Sequence, residues 1–206
     1  MSVKEKYVLR FSRLNRVLHV MMIISFLILS LTGMSLKFSY SGWAKVLSKF
    51  FGGFESAGYW HRFAATIMII VFSTHLIDLV RLKRKELGSW KVLLIGKNSM
   101  LFNKKDWQEF KNSLKWFSGR GLRPEYGRWT YWEKFDYFAV FWGMFIIGST
   151  GMTLWFPEFF TNFFPGWMIN VATIIHSDEA LLATVLFLLY TFLTLTFVLT
   201  NSQWIL

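Results

Sequence analysis

The sequence predicts an all-α integral membrane protein, a bundle of four transmembrane helices that forms a single domain over residues 1–206. Three observations predict this fold. The apolar residues are gathered in four long blocks, the 23 Lys and Arg residues lie mostly between those blocks, and tryptophans stand at several block ends. A membrane-spanning helix needs about 20 mostly apolar residues, and aromatic side chains anchor its ends at the membrane surface.

The four predicted spans cover residues 17–36, 58–82, 135–156 and 167–199. The first follows a basic segment, as a signal peptide would. Because no small-residue cleavage site follows it and it contains a histidine, we expect a retained helix. Pro157 ends the third span, and the fourth is long enough to begin outside the bilayer. No internal repeat is evident.

The distribution of basic residues predicts the orientation of the helices. Residues 1–16 hold five Lys and Arg residues and residues 81–134 hold fourteen, whereas residues 157–166 hold none. Cytoplasmic loops of membrane proteins are enriched in Lys and Arg. We therefore expect the N-terminus, the loop 83–134 and the C-terminus in the cytoplasm.

The loop between the second and third spans contains an amphipathic segment, Asp106 to Phe117. We expect this cytoplasmic segment to lie on the membrane surface as a helix, in contact with lipid; an ordinary solvated helix is the alternative. The formal charge of +11 is explained by the membrane orientation and does not indicate nucleic-acid binding.

All four histidines, His19, His61, His75 and His176, lie in predicted spans. Ionisable groups inside a bilayer are costly and usually functional, although a single histidine can also serve a proton relay or a structural pair. Because successive spans alternate in direction, His19 and His75 are expected near the cytoplasmic face and His61 and His176 near the outer face. Two imidazoles at one depth on different helices are the arrangement that a haem iron needs.

The spacing within the second span supports two separate sites. His61 and His75 are 14 residues apart, which places them within about 40° of one helix face and about 21 Å apart along the axis. A zinc ion would need its ligands together, and the chain has no cysteine for an iron–sulfur cluster or covalent c-type haem. We therefore predict two b-type haems, with iron ligands His19 and His75 inside and His61 and His176 outside.

Small and basic residues accompany the histidines. Gly33, Gly148 and Gly151 could let a backbone approach a flat ring, or could serve close helix packing. Arg16 beside His19 and Arg62 beside His61 could pair with haem propionates. Arg62 is the more informative of the two, because it stands on the side where basic residues are scarce.

The run GRWTYWEKFDYFAVFWGMFIIGSTGMTLWFPEFF (127–160), followed by PGWMINVATIIHSDEALLA (165–183), resembles cytochrome b subunits related to formate dehydrogenase gamma subunits and hydrogenase-type cytochromes b. The resemblance covers all four spans and is closest to members that accompany multihaem c-type cytochromes. It implies a four-helix, quinone-reactive subunit with two haems b, and haem ligation at His19, His61 and His176.

The chain departs from the resembled family in its fourth span. Family members commonly have a second histidine about four turns after the first, where this chain has Tyr190. His75 lies at the same depth on the second span and can supply the missing imidazole. Tyr190 is the alternative ligand, and a less favoured one because tyrosinate is a rarer axial ligand.

We expect the chain to transfer electrons between a quinone, menaquinone or ubiquinone, and a periplasmic partner, either a multihaem c-type cytochrome or an iron–sulfur subunit. It has no catalytic residues of its own beyond quinone exchange. One alternative is a stand-alone haem b oxidoreductase that acts on a small substrate such as superoxide or a ferric chelate. Another is a transporter that uses its histidines as proton relays.

Acidic and phenolic groups at inner-haem depth are candidates for a quinone site. Asp78 follows His75 by three residues, and Tyr131, Glu133 and Asp136 stand at the start of the third span. A carboxylate there could exchange the quinol proton with water. The simpler alternative is that Asp78 forms an ordinary helix-end ion pair with Arg81, three residues on.

Overall fold

The structure is a computed structural model that describes residues 12–96, 99–122 and 124–200, and all regular structure in these ranges is helical. Each of the four long helices contains a stretch long and apolar enough to cross a membrane, so the predicted four-helix membrane fold is confirmed. Residues 1–11 and 201–206, which belong to the predicted cytoplasmic termini, lie outside the described residues. The long helices are α1 (Arg13–Lys37), α3 (Phe54–Leu82), α6 (Tyr131–Trp155) and α8 (Trp167–Thr200).

Shorter helices connect the long ones. A π-helical turn, Lys83–Leu87, continues α3 into the long loop. The remaining elements are α2 (Gly42–Phe50), α4 (Trp90–Ile95), α5 (Lys104–Phe117) and α7 (Pro157–Thr161).

Three long helices, α1, α3 and α6, begin about four residues before the predicted spans. Polar side chains cap the starts of α1 and α6, whereas α3 follows Gly53, which provides no side-chain cap. Ser12 accepts a hydrogen bond from the backbone N–H of Asn15 (3.1 Å) at the start of α1. Thr130 and Glu133 form a reciprocal capping box at the start of α6. These first turns carry charged side chains, which a count of apolar residues leaves out.

The four long helices form two pairs, α1 with α3 and α6 with α8, and the pairs meet through α1–α8 and α3–α6 contacts. Buried residues recur every seven positions along the α1–α3 seam, which is the repeat of two helices packed at a small angle. Most of them are small, so the two backbones approach closely. They are Leu18, Ser25 and Thr32 on α1, and Ala57, Ala64 and Val71 on α3.

Helix α5, the predicted amphipathic segment, turns its polar side toward the protein. Asp106, Glu109 and Ser113 are buried, whereas Trp107, 59% exposed, and Phe117, 67% exposed, point outward. A helix in water would bury its apolar side instead. The arrangement therefore supports the prediction that α5 lies on the membrane surface with its aromatic side in lipid.

A buried ion pair holds α5 to the start of α6. Lys134 Nζ donates to Asp106 Oδ2 at 2.9 Å, and the two side chains are 4% and 5% exposed. Breaking such a pair leaves an uncompensated buried charge, which typically costs about 3–5 kcal/mol.

We expect Lys134→Ala to loosen α5 and to speed protease cleavage of the 83–134 loop in the purified protein. Lys111→Ala, an exposed cation over the Trp107 ring, is the matched control. Equal cleavage rates in the two variants would show that the ion pair does not hold the loop.

Candidate haem site

The structure brings His61 and His176 together across the bundle. Their ring centroids are 6.1 Å apart, with the ring planes inclined at 77°. With metal–imidazole bonds of about 2.0–2.1 Å, one metal ion between two imidazoles sets the ring centres about 6 Å apart. The pair therefore has the separation that a single haem iron requires of its two axial ligands.

Hydrogen bonds determine which nitrogen of His61 carries the proton. Thr32 Oγ1 donates its only proton to the backbone carbonyl of Ile28, at 2.6 Å. The same oxygen lies 3.0 Å from His61 Nδ1. Because the hydroxyl proton is already used, Nδ1 must be the donor and Thr32 Oγ1 the acceptor.

His176 is held in the same way by the other pair of helices. Its Nδ1 lies 3.0 Å from the backbone carbonyl of Ile147, which can only accept. Thr150 Oγ1, which donates to the Ile146 carbonyl at 2.7 Å, is a second neighbour of this Nδ1 at 3.3 Å. Nδ1 of His176 therefore also carries a proton.

In both histidines the second nitrogen, Nε2, is left with a free lone pair. A neutral imidazole has one protonated nitrogen and one that can bind a metal, and its hydrogen-bonding partner determines which is which. Opposed rings with unprotonated Nε2 atoms are the donor set that a haem iron takes in b-type cytochromes. The residues present therefore fit a haem held by His61 and His176.

Two glycines make room for the imidazoles. A Cβ atom added at Gly151 would lie 2.9 Å from His176 Cε1, and one at Gly33 would lie 3.3 Å from His61 Cε1. At Gly148 an added Cβ would meet nothing within 4 Å. The glycines at 33 and 151 thus let the helices α1 and α6 approach the histidine rings, whereas a Cβ at Gly148 would not meet an imidazole.

Lys37 links α1 to α8 at the level of this site. Its Nζ donates to Asp178 Oδ1 (2.6 Å) and to Ser177 Oγ (2.9 Å), both directly after His176. Arg62, an exposed residue, interacts electrostatically with His61. Basic groups therefore stand beside both outer histidines.

The inner histidines are arranged differently. His75 Nε2 lies 3.0 Å from the hydroxyl of Tyr137 on α6, and its ring also contacts Phe141. His19 is exposed and interacts electrostatically with Asp136. No ring contact joins His19 to His75, although both lie in the described part of the chain. Ligation of an inner haem by these two residues stays a prediction.

Three other residues were predicted to take part in the inner haem site or the quinone site beside it. Arg16 is exposed in the first turn of α1, and Tyr190 is 46% exposed on α8. Asp78 is half-buried and interacts electrostatically with His75. The ion pairs found among the described residues do not include Asp78 with Arg81, so the simpler explanation of Asp78 gains no support.

Two quinone-site candidates have structural partners. Glu133 accepts hydrogen bonds from the backbone N–H and the hydroxyl of Thr130, at 2.9 and 3.1 Å. Tyr131 is 7% exposed and packs its ring edge-on against Phe110 of α5. These contacts give both residues structural roles, since Glu133 caps the start of α6 and Tyr131 packs against α5.

Sequence reasoning missed Thr32, Thr150 and Tyr137. The missed signal is a short repeat, LTGMSL at 31–36 and STGMTL at 149–154, so the expectation of no repeat was wrong. Each threonine is the twentieth residue of a 25-residue helix, counted from Arg13 and from Tyr131. By the same count Tyr137 takes the place of His19.

A family model described as prokaryotic cytochrome b561 matches residues 10–203, a stretch that includes the four histidines and the four long helices. No curated protein shows significant sequence similarity to the chain. With its four apolar helices and its opposed histidine pair, the chain belongs to the prokaryotic cytochrome b561 family, multi-pass membrane proteins that bind haem b and transfer electrons.

Proposed function

We propose that the chain is the membrane subunit of a respiratory complex in the bacterial inner membrane. It passes electrons between a quinone near the cytoplasmic face and a redox protein on the periplasmic face. The observation that carries the proposal is the close pair His61 and His176, whose Nδ1 atoms have acceptors on α1 and α6. Family membership supports haem b as the group held there.

The outer haem would be held by Nε2 of His61 and of His176, with Arg62 placed to pair a propionate. Haem iron supplies reversible one-electron transfer. The protein's part is to fix both imidazoles in one tautomer, through Thr32, Thr150 and backbone carbonyls, and to keep the site within the bundle.

The inner haem would be held by His19 and His75, with Arg16 near a propionate. The matched depth of these histidines and the 14-residue spacing of His61 and His75 support it. His75 would exchange its contact with Tyr137 for the iron. Tyr190 remains the alternative to His75 as the second ligand.

The periplasmic partner would be a multihaem c-type cytochrome or an iron–sulfur subunit, as the sequence resemblance implies. The expected orientation places the His61–His176 site at that side. An electron delivered to the outer haem would then have about 21 Å of helix between it and the inner histidine level.

The proposal is tested by the absorption spectrum of the purified protein and its response to a quinol analogue. We expect a Soret band, and reduction of the haem by the quinol. Absence of a Soret band would favour the proton-relay alternative. Turnover of superoxide or a ferric chelate by the isolated chain, without reduction by quinol, would favour a stand-alone oxidoreductase.

Asp78 is the best-placed residue to exchange the quinol proton, because it is half-buried beside His75. We expect Asp78→Asn to leave the haem spectra intact and to slow quinol-linked haem reduction by roughly 100-fold, the lower end of what a positioned acid or base contributes. Stopped-flow reduction by a quinol analogue measures this.

Glu133→Gln is the companion variant to Asp78→Asn. An amide oxygen can still accept from Thr130, so the start of α6 should stay folded. Unchanged reduction in both variants would place the quinone site elsewhere and leave these carboxylates with structural roles alone.

A further inference from the structure

The two halves of the bundle place a threonine hydroxyl in the same relation to an outer histidine. Thr32 donates to the carbonyl four residues before it at 2.6 Å, and Thr150 does so at 2.7 Å. The carbonyls of Leu29 and Ile147, three residues before each threonine, also face the two imidazoles. Two separate pairs of helices thus build one local arrangement around the two faces of one site.

Helix packing alone does not explain these hydroxyls. Threonines elsewhere in the long helices also donate to the carbonyl four residues before them, for example Thr66 at 3.0 Å to Arg62. That bond satisfies the hydroxyl proton and leaves the oxygen free to accept. At Thr32 and Thr150 the accepting oxygen meets the Nδ1–H of an outer histidine.

We propose that Thr32 and Thr150 are positioning residues that act through His61 and His176 to set the reduction potential of the outer haem. The inference rests on the proposed ligation by these two histidines. An acceptor at Nδ1 increases the electron donation of Nε2 to a bound metal, as outer partners of ligating histidines do. Greater donation stabilises ferric over ferrous iron, so the two hydroxyls lower the midpoint potential.

The two threonines contribute unequally. Thr32 Oγ1 is 3.0 Å from His61 Nδ1, whereas Thr150 Oγ1 is 3.3 Å from His176 Nδ1. When the hydroxyl is removed, each histidine keeps a backbone carbonyl beside it, Leu29 at His61 and Ile147 at His176, so the hydroxyl distances decide the order. The Thr32 hydroxyl therefore has the larger effect.

The test is a redox titration of the haem in the full-length protein carrying Thr32→Val, which removes the hydroxyl and keeps the branched shape. We expect the haem to be retained and its midpoint potential to rise. The expected change in the one-electron equilibrium constant is roughly threefold to tenfold, a tenfold change being about 59 mV. Thr150→Val should give a smaller rise, and Thr32→Ser should restore the wild-type value.

Thr66→Val is the matched control, because Thr66 is exposed and makes the same backbone bond without touching a histidine. It should titrate as the wild type. A wild-type potential in both Thr32→Val and Thr150→Val, with haem retained, overturns the inference. If Thr32→Val loses the haem while Thr32→Ser and Thr66→Val keep it, the hydroxyl is shown to position the ligand. The midpoint potential of Thr150→Val, expected to be raised, then tests the effect on potential.

His61→Ala separates this inference from the proposed function. Loss of the outer haem in His61→Ala, together with an unshifted potential in Thr32→Val, means that the ligand pair is correct and the threonine role is not. Retention of the outer haem in His61→Ala means that the ligand pair itself is wrong.

Discussion

Replacement of either His61 or His176 by alanine is expected to remove the outer haem and to leave the inner one. The ring centroids of the two imidazoles are 6.1 Å apart, and under the proposed ligation they share one iron, so the loss of either ring would remove one of two axial bonds. The pyridine haemochrome assay should show a fall from about two b-type haems per chain to about one. The remaining haem should keep its own midpoint potential in a redox titration.

The matched controls for these variants are His19→Ala and His75→Ala, which should remove the inner haem and keep the outer. Haem loss in His19→Ala without loss in His75→Ala would indicate that Tyr190, and not His75, is the second ligand of the inner haem. If His61→Ala and His75→Ala remove the same haem, the assignment of ligands to two levels is wrong.

Gly151→Ala is expected to weaken the outer haem site nearly as much as loss of a ligand. Its added Cβ would lie 2.9 Å from His176 Cε1, closer than Cβ atoms come to other atoms, and 3.3 Å from His176 Nδ1, which is also a tight contact. The ring cannot simply move aside, because Nδ1 is bonded to the Ile147 carbonyl on the same helix as Gly151. We expect a loss of haem affinity on the order of 10- to 100-fold, the cost typical of disturbing the outer shell of a metal site.

The chain supplies its own control for this substitution. Gly148 lies three residues earlier on α6, and an added Cβ there meets nothing within 4 Å. Gly148→Ala should therefore retain haem as the wild type does, while Gly33→Ala, with a contact of 3.3 Å, should fall between the two. The fraction of haem that each variant retains after dilution in detergent measures this ranking of haem affinities. Equal retention in Gly151→Ala and Gly148→Ala would show that His176 does not need this space.

The sequence was sufficient to predict the four helices, because the cost of burying charge in a bilayer forces apolar residues into long blocks. It was less informative about their starts. Helices α1 and α6 begin directly after Ser12 and Thr130, whose polar side chains cap the first turn, and a hydropathy count does not register such caps. The inverted docking of α5, with Asp106 inside and Trp107 outside, depends on Lys134, which is 28 residues away from Asp106 in the sequence.

The alternation of the spans predicted that His61 and His176 lie at one depth and His19 and His75 at another, and the structure brings the first two together. Which rings meet depends on side-chain rotamers and on which helices are neighbours, and neither is readable from spacing. His61 and His176 meet in the structure, whereas His75 contacts Tyr137 on α6. The threonine and glycine neighbours of the outer rings could have been found from the LTGMSL and STGMTL repeat, since a shared pattern at one position in two equal helices indicates a shared role.

The central claim, that His61 and His176 hold a haem b between them, is tested most directly by haem analysis of a His19→Ala/His75→Ala double variant. With both inner histidines removed, the outer pair is the remaining set of imidazoles in the chain. The account predicts about one b-type haem per chain, with the low-spin ferric spectrum of an iron bound by two imidazoles. A double variant that folds in the membrane and carries no haem would contradict it.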